Sequence, residues 1–486
     1  MGWGDVQWHD ANMVTKNLKY LRYSRHSVSL NNAYVNHACS PSRSALLTGY
    51  YPFRIGSQTG VFTQAGVGAI PLSYKFFPEE LQNLGYVTYM VGKWHLGYCN
   101  QKYTPVGRGF DHFYGLFQGE QDYFEHQSES REEHLFGKFG YDMFQNTTID
   151  WSNKGTYNTI LFGEKALGWL RDHKKNHQEK PFYFYLAFTA PHAPWQVPHE
   201  YLKECQHIKQ EKRRIYCAMV FVLDQYIGAV IRSLKDLKFY ENTVIIFTHD
   251  NGAKAFEPDG HFASTNFPLR GSKGSFWDGA NRAITLIHSH KYIRVPGQRN
   301  DLFSLVDWYP TILRIAGQKK LPGYQGDGVD QWDMISNGTP GVRDHLVINI
   351  IQKNSAAIRK GDYKLILGKP TLFLNLPNGR IYEMCPNCNS IYNPYGFTVW
   401  LNETYDTDSV LLFNVAEDMS ETINLSQHYP EKVKELKQLL SYYYPQEKRL
   451  LATFKTVEAG YPDKFNGAWG INYCEEANPH LREHRG

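Results

Sequence analysis

The chain has 486 residues, 42% of them hydrophobic and 21% charged, the ordinary balance of a large globular protein with about two or three domains. A net charge of +4 is small for this length and does not favour nucleic acid as a partner. No apolar run approaches the ~18 residues of a membrane span. Residues 1–5 also lack the basic start and apolar core of a signal peptide.

The first informative segment is CSPSRSALLTG, residues 39–49. A buried structural cysteine usually has apolar neighbours, whereas Cys39 is followed by hydroxyls, a proline and a cation. The pattern predicts a helix start, with Ser40 or Ser42 as the capping residue. Because a helix N-terminus favours anions and Arg43 adds positive charge, Cys39 is predicted to be a nucleophile for an anionic substrate.

The next elements place polar residues at a strand end. Residues 79–85 have the pattern of a helix that stops at a glycine, and residues 86–91 follow as a short strand. Lys93 and His95 come directly after that strand.

The middle of the chain alternates helix and strand patterns: helix 160–173, strand 182–188, helical spacing over 216–234 and strand 243–248. This strand–helix–strand order predicts a mostly parallel α/β sheet flanked by helices. His192 follows the first of these strands, and Asp250 and Asn251 follow the second. Sites in open α/β sheets lie beyond the carboxyl ends of strands, so these residues are expected at one rim.

The last third has a different character. Strand patterns over 345–351, 357–367 and 409–415 and an amphipathic helix around 433–440 predict a smaller α+β domain with an antiparallel sheet. The predicted domains are therefore 1–340, with the large sheet, and 341–486.

Each candidate residue also has an ordinary structural interpretation. Lys93 and Lys273 fit surface charges, His192 a loop contact, and the Asp250-Asn251-Gly252 stretch a turn. The repeated placement of polar clusters at strand ends, together with a cysteine in a polar setting, favours a site.

Several of these motifs, in this order, resemble the sulfatase family of the alkaline phosphatase superfamily. Cys39-Ser40-Pro41-Ser42-Arg43 with Leu47-Thr48-Gly49 is similar to one family signature, and Gly85-Tyr86-Val87-Thr88 with Gly92-Lys93-Trp94-His95 to a second. Further matching stretches are Gly109-Phe110-Asp111, Ala190-Pro191-His192, Asp250-Asn251-Gly252 and Pro268-Leu269-Arg270-Gly271. Gly119-Glu120-Gln121-Asp122-Tyr123, Gln196-Val197-Pro198 and Gly467-Ala468-Trp469-Gly470 are most similar to the arylsulfatase B subgroup, the N-acetylgalactosamine-4-sulfatases.

The resemblance implies a sulfuric ester hydrolase whose Cys39 is converted to formylglycine by a formylglycine-generating enzyme in the secretory pathway. The hydrated aldehyde attacks sulfur, and its second hydroxyl then releases sulfate. The implied substrate is a sulfated glycan, such as the N-acetylgalactosamine 4-sulfate of a glycosaminoglycan, or an aryl sulfate. The implied location is the lysosome or the outside of the cell, although these 486 residues show no signal peptide.

The resemblance also assigns roles. Lys93 and Lys273 are expected to hold sulfate oxygens, and Arg43 to orient the nucleophile. His192 is expected to bind substrate and protonate the leaving oxygen, and His95 to help deprotonate the diol. The implied metal is Ca²⁺, with ligands from Asp250, Asn251 and the modified Cys39.

One departure from the family pattern concerns the metal. The family has a strand ending in two adjacent aspartates before the segment Gly2-Trp3-Gly4-Asp5, and the given sequence starts at Met1. The chain as written is therefore expected to lack a first strand and two ligands, to bind Ca²⁺ poorly and to have little sulfatase activity. Asp5 is an alternative carboxylate that the sequence does not place.

Cysteines and sequons give weaker indications. If Cys39 serves chemistry, an even number remains for disulfides: Cys99, Cys205, Cys217, Cys385, Cys388 and Cys474. The Cys385–Cys388 pair permits zinc or redox chemistry, but a loop disulfide is the simpler interpretation. Relatives of the arylsulfatase B type have cysteines in 61–70, where this chain has none. Four N-glycosylation sequons begin at Asn146, Asn337, Asn402 and Asn424.

Two alternatives to a sulfatase stay open. A truncated, inactive pseudoenzyme would bind sulfated glycans without cleaving them. A phosphoester hydrolase of the same superfamily would act on an anion of similar shape.

Overall fold

A computed structural model describes residues 1–130, 137–255, 263–351, 355–371, 373–375, 381–383, 389–392, 398–399, 403–451 and 456–474. The helices are α1 (Lys16–Tyr23), α2 (Cys39–Thr48), α3 (Pro52–Ile55), α4 (Phe77–Asn83), α5 (Asn158–Asn176), α6 (Glu211–Asp236), α7 (Asp278–Asn281), α8 (Trp308–Ile315), α9 (Trp332–Asn337) and α10 (Pro430–Tyr443). The first strands are β1 (Ser27–Tyr34), β2 (Val87–Lys93), β3 (His112–Leu116), β4 (Gln127–Glu129), β5 (Phe139–Tyr141), β6 (Phe144–Gln145), β7 (Thr148–Ile149), β8 (Phe182–Ala187), β9 (Ile245–Phe247), β10 (Thr285–His288) and β11 (Gly297–Ser304). The later strands are β12 (His345–Ile351), β13 (Ser355–Lys360), β14 (Tyr363–Leu367), β15 (Phe373–Asn375), β16 (Ile381–Glu383), β17 (Ile391–Tyr392), β18 (Thr398–Val399) and β19 (Val410–Asn414).

One sheet has the order β7-β6-β3-β2-β8. Its centre is parallel, with β2 paired to β3 on one side and to β8 on the other. The register sets Val87 opposite Phe182 and Gly92 opposite Ala187, so both strands end at the same edge. This arrangement brings Lys93 and the segment leading to His192 to one rim, as the sequence predicts.

A second sheet has the order β11-β1-β10-β9. Here β1 and β11 are parallel, whereas β10 is antiparallel to both β1 and β9. Within the described residues β8 and β9 therefore belong to different ladders, and the helix between them crosses from one sheet to the other. The predicted α/β class with helices on the sheet faces is confirmed. The expectation that the strand after α6 continues the parallel sheet of β8 is wrong, because β9 pairs antiparallel with β10 in the second sheet.

Helix α2 is embedded between these layers. Ala45 packs in a buried cluster with Val28 of β1 and Ile358 of β13, whereas Leu47 packs in another with Met90 of β2. A helix that is covered on both sides holds its first residue in a fixed position, which matters because Cys39 is that residue.

Helix α6 has the length and hydropathy of a membrane-crossing segment, the one such helix among the described residues. About 56% of its most apolar window is buried inside the protein. Its apolar composition is thus that of a long core helix. Because polar residues interrupt its sequence, it contains no continuous apolar run as long as a membrane span.

The later strands form the antiparallel sheet β12-β13-β14-β19, covered by α10. The single strand predicted over 357–367 is a hairpin, because Gly361 adopts φ 56° and turns the chain between β13 and β14. The small C-terminal layer of the predicted fold is confirmed, and the domain division at residue 340 stays a prediction.

Two disulfides join cysteines that the sequence left unassigned: Cys99 to Cys474, and Cys205 to Cys217. Cys39 is free and buried. Cys385 and Cys388 lie outside the described residues.

Three sequons lie at the surface. Asn424 is exposed, and Asn146 and Asn337 are partly exposed. The side-chain amides of Asn337 and Asn424 donate to Asp333 and to the Val410 carbonyl. Asn402 lies outside the described residues, and glycosylation stays a prediction at all four positions.

Candidate active site

The site begins at the first residue of α2. Cys39 is 2% exposed and directly follows the N-cap residue Ala38, whose side chain makes no capping hydrogen bond. The prediction that Ser40 or Ser42 caps the helix is therefore wrong. Both hydroxyls find tertiary partners instead: Ser40 donates to the His95 carbonyl at 2.8 Å, and Ser42 bonds the backbone of Asn36.

Arg43 lies one helical turn after Cys39 and ties two strand ends together. Its Nε and Nη2 each lie 3.0 Å from Oδ2 of Asp250, and its Nη1 donates to the Lys93 carbonyl at 2.6 Å. Burial and the Cys39 side chain raise the pKa of Asp250, but Arg43 and Lys93 outweigh them and hold that pKa below its usual value. Asp250 is therefore a carboxylate at neutral pH.

Lys93 is the last residue of β2 and is 2% exposed. The preceding Gly92 has φ 107°, and a Cβ there would lie 2.0 Å from the Ala187 carbonyl oxygen, so only glycine lets β8 close against β2. The Lys93 Nζ lies 4.0 Å from Asp250. Burial lowers the pKa of Lys93, while the negative charges of Cys39 and Asp250 oppose that change.

His95 adopts φ 63°, an uncommon conformation for a residue other than glycine and one often found at functional sites. Its Nε2 donates to the Phe62 carbonyl at 3.0 Å, so Nδ1 is the unprotonated nitrogen of the neutral ring. Burial lowers the pKa of His95 to about 4, while the nearby Cys39 side chain acts in the opposite direction. A ring that is neutral at pH 7 with an available nitrogen is suited to accept a proton.

His192 and Lys273 close the other side. The Lys273 Nζ lies 3.2 Å from the Cys39 Sγ and 3.4 Å from the His192 Nε2. Burial lowers the pKa of Lys273, but Cys39 and Asp250 outweigh it and hold that pKa above its usual value. Lys273 therefore brings a fixed positive charge to the sulfur atom and the imidazole.

These charges act on the Cys39 thiol. Burial raises its pKa, but the positive charges of Lys273 and Lys93 lower it by more. The net pKa of Cys39 lies well below the ordinary value. A pocket with three cations around one buried side chain stabilises an anion, which is the property that the sequence predicted here.

The predicted calcium ligands are close together but few. Asn251 Oδ1 lies 3.3 Å from the Cys39 Sγ, and Asp250 is the neighbouring residue. Their oxygens suit Ca²⁺ in kind, yet the ion takes about six to eight ligands. No group of three acidic, histidine or cysteine side chains that could hold a metal occurs in the described parts of the chain. The donors present therefore do not complete a calcium shell.

Asp5, the alternative carboxylate, is used elsewhere. It is fully buried, pairs with Arg213 and accepts hydrogen bonds from Tyr216 and the Thr265 amide. These contacts satisfy its oxygens and make it structural.

Two residues at the site were given no role by the sequence. Glu120 Oε2 lies 3.5 Å from Nδ1 of His192. The Tyr185 hydroxyl lies 3.5 Å from Nη1 of Arg43. Glu120 falls within a motif that the resemblance singles out, so its position was a usable signal. Tyr185 is part of an uninterrupted apolar and aromatic strand, which gave no signal.

The profile of the family described as "Sulfatase" matches residues 1–318. The chain belongs to the sulfatase family. The family assignment made from the motifs is confirmed, and with it the mixed α/β fold.

Individual relatives agree with this assignment. The chain is 32% identical to arylsulfatase J of Mus musculus, over 98% of this chain and 79% of that protein. It is 28% identical to N-acetylgalactosamine-6-sulfatase of Mus musculus, over 89% of this chain and 81% of that one. The crystal structure of Ps i-CgsB in complex with k-i-k-neocarrahexaose superposes with a TM-score of 0.75 at 25% identity, covering 94% and 93% of the two chains. The arylsulfatase B subgroup stays a prediction.

Proposed function

We propose that this chain hydrolyses sulfate esters at the pocket around Cys39. The observation that carries the proposal is the approach of Lys273 to both the Cys39 sulfur, at 3.2 Å, and the His192 ring, at 3.4 Å. A nucleophile position, a proton donor and a cation thus meet at one point, the combination that hydrolysis of an anionic ester requires.

The nucleophile is proposed to be formylglycine at position 39. Its formation removes two electrons, replaces sulfur by an oxygen atom from water and releases sulfide, so it needs an external oxidant such as dioxygen and a formylglycine-generating enzyme. In its hydrated form the aldehyde supplies one hydroxyl for attack on sulfur and a second whose deprotonation expels sulfate. Over the cycle, one ester and one water give an alcohol and sulfate.

The chain's own residues supply charge and protons. Lys93 and Lys273 hold the sulfate oxygens and stabilise the charge that develops as the ester bond breaks. Arg43, fixed by Asp250, keeps the nucleophile oriented. His192 gives a proton to the leaving oxygen, and His95, neutral because burial lowers its pKa to about 4, accepts one from the nucleophile.

Ca²⁺ is proposed as a further component, with Asp250, Asn251 and residue 39 among its ligands. When bound, the ion would polarise a sulfate oxygen. The oxygen chemistry of Asp250 and Asn251 supports this metal in kind, and additional ligands are required to complete its shell.

A sulfated glycosaminoglycan sugar, such as N-acetylgalactosamine 4-sulfate, is the proposed substrate. Relatives named for N-acetylgalactosamine-6-sulfate and a structural neighbour bound to neocarrahexaose support a sulfated glycan as the class. Two disulfides fit an oxidising compartment, which supports the proposed lysosomal or secreted location and glycosylation at Asn146, Asn337, Asn402 and Asn424.

The test uses the chain secreted from cells that also express a formylglycine-generating enzyme. Mass spectrometry of the peptide containing residue 39 measures conversion of Cys39. Sulfate release from 4-methylumbelliferyl sulfate and from chondroitin and dermatan sulfate oligosaccharides is then compared with release by Cys39→Ala. Turnover of sulfate esters that is lost in the variant supports the proposal.

Other outcomes separate the alternatives. Converted protein that binds the oligosaccharides without releasing sulfate supports a pseudoenzyme. Faster turnover of the matching phosphate ester than of the sulfate ester supports a phosphoester hydrolase.

A further inference from the structure

The stretch 119–123 is one of the motifs that no step above uses. It follows β3 and places Glu120 against the ring of His192. Glu120 Oε2 lies 3.5 Å from Nδ1, with 20% of its side chain exposed. The carbonyl oxygen of Ala193 lies 2.7 Å from the same nitrogen.

These two oxygens decide which nitrogen carries a proton. A carbonyl oxygen only accepts hydrogen bonds, so the 2.7 Å contact requires a proton on Nδ1 of His192. A carboxylate beside that N–H stabilises it further through its negative charge. Nε2 is left facing Lys273, at the centre of the site. A proton that His192 delivers there must therefore leave from Nε2.

The same stretch holds the backbone around His192. The Tyr123 hydroxyl donates to the His192 carbonyl at 2.8 Å. Gln196 accepts from the Tyr123 amide at 2.8 Å and donates to Asp122 at 2.6 Å. The His192 carbonyl and the segment after it are thus tied to one loop, which fixes the ring relative to Glu120.

We propose that Glu120 is a positioning residue for His192, whose carboxylate acts with the Ala193 carbonyl to hold a proton on Nδ1 and to keep Nε2 directed at the leaving oxygen. The inference rests on the proposed function. In the step concerned, the Nε2 proton passes to the leaving oxygen as the S–O bond breaks, the Nδ1 proton stays in place, and Glu120 exchanges no proton.

Glu120→Gln tests this with little change of shape. Glu125→Gln is the matched control, because Glu125 is 53% exposed in the same loop and pairs with Lys154. Proton donation matters most for a poor leaving group. We expect Glu120→Gln to lower kcat on a sugar sulfate by about tenfold and on nitrophenyl sulfate by less than about threefold, with partial recovery in Glu120→Asp. The control is expected to match wild type on both.

A double variant separates positioning from general damage. In a His192→Asn background the further change Glu120→Gln is expected to have no effect on kcat, because the group through which Glu120 acts is gone. Equal losses on both esters, or losses that multiply in the double variant, would overturn the inference.

A second measurement does not need turnover. The ¹⁵N shifts of the His192 ring, in protein that keeps its Cys39 thiol, report which nitrogen carries the proton of the neutral ring. We expect Nδ1–H in wild type and in Glu125→Gln, and a smaller Nδ1–H fraction in Glu120→Gln. A proton on Nε2 in wild type, or the same fraction in both variants, contradicts the inference. If wild type turns over neither ester, the proposed function fails and this measurement alone decides the inference.

Discussion

Lys273 offers the sharpest test of the pocket as an anion site. Its Nζ lies within 3.4 Å of both the sulfur of Cys39 and the ring of His192, and its pKa is held above the usual value by nearby negative charge, against burial. A hydrogen bond from such a cation to a sulfate oxygen contributes about 1.5–3 kcal/mol. Lys273→Met is therefore expected to weaken sulfate binding by roughly 10- to 150-fold.

The assay is calorimetric titration with sodium sulfate at constant ionic strength. It is done in a Cys39→Ser background, so that a neutral hydroxyl replaces the thiol in every sample. Lys434→Met is the control, because the Lys434 side chain is 77% exposed on α10, and no change beyond about twofold is expected there. A Lys273→Met variant that keeps its thermal midpoint and binds sulfate within threefold of its parent would refute the reasoning.

Three further predictions concern the buried charges and the metal. Lys364→Met leaves Asp278 and Glu421 without the lysine that lies 2.7 Å from each. We expect a loss of about 3–5 kcal/mol in the free energy of unfolding, measured by urea denaturation. A loss below about 1 kcal/mol would contradict this prediction. Burial raises the pKa of the Asp142 carboxyl to about 7, against hydrogen bonds from backbone amides that lower this pKa. Between about pH 4 and pH 7, Asp142 is therefore protonated in the folded protein and ionised in the unfolded chain. The stabilisation of the folded state by this protonated carboxyl is complete below pH ~4 and is lost as the pH rises through 7. The free energy of unfolding should therefore fall by roughly 2–3 kcal/mol between pH 5 and 8. Asp142→Asn should make that free energy less dependent on pH. Calorimetry with CaCl₂ should give a Kd of about 10⁻³ M or weaker, because the described residues bring one carboxylate and one amide to the proposed metal position. Tight binding would show that the set of ligands is larger.

Much of the site was predictable because its signals are local. A cysteine followed by hydroxyls, a proline and an arginine marks a helix start, and α2 does begin at Cys39. Strand patterns that end in charged residues predicted Lys93 and His192 at one rim, and β2 and β8 do end together because they are parallel. Asp250 follows β9 in the other sheet and meets these residues through its ion pair with Arg43. The structure brings all of these residues together around one buried sulfur.

Other features depended on partners far away in the chain. The serines after Cys39 looked like caps, but buried hydroxyls bond whatever acceptor tertiary packing supplies, here the His95 carbonyl. Asp5 looked like a spare metal ligand, but Arg213, 208 residues away, takes its charge. Neither outcome is contained in local spacing.

The sequence alone therefore determined the family, the α/β class and the candidates that meet around Cys39, other than Glu120 and Tyr185, because periodicity and ordered motifs are properties of short segments. Only the tertiary structure decided that β9 joins the sheet of β10, that Cys99 pairs with Cys474, and that Glu120 faces the ring of His192. Each of these is a contact between segments that lie far apart along the chain, so local sequence patterns do not predict it. It is fixed by how helices and sheets pack to bury apolar surface while pairing buried charge.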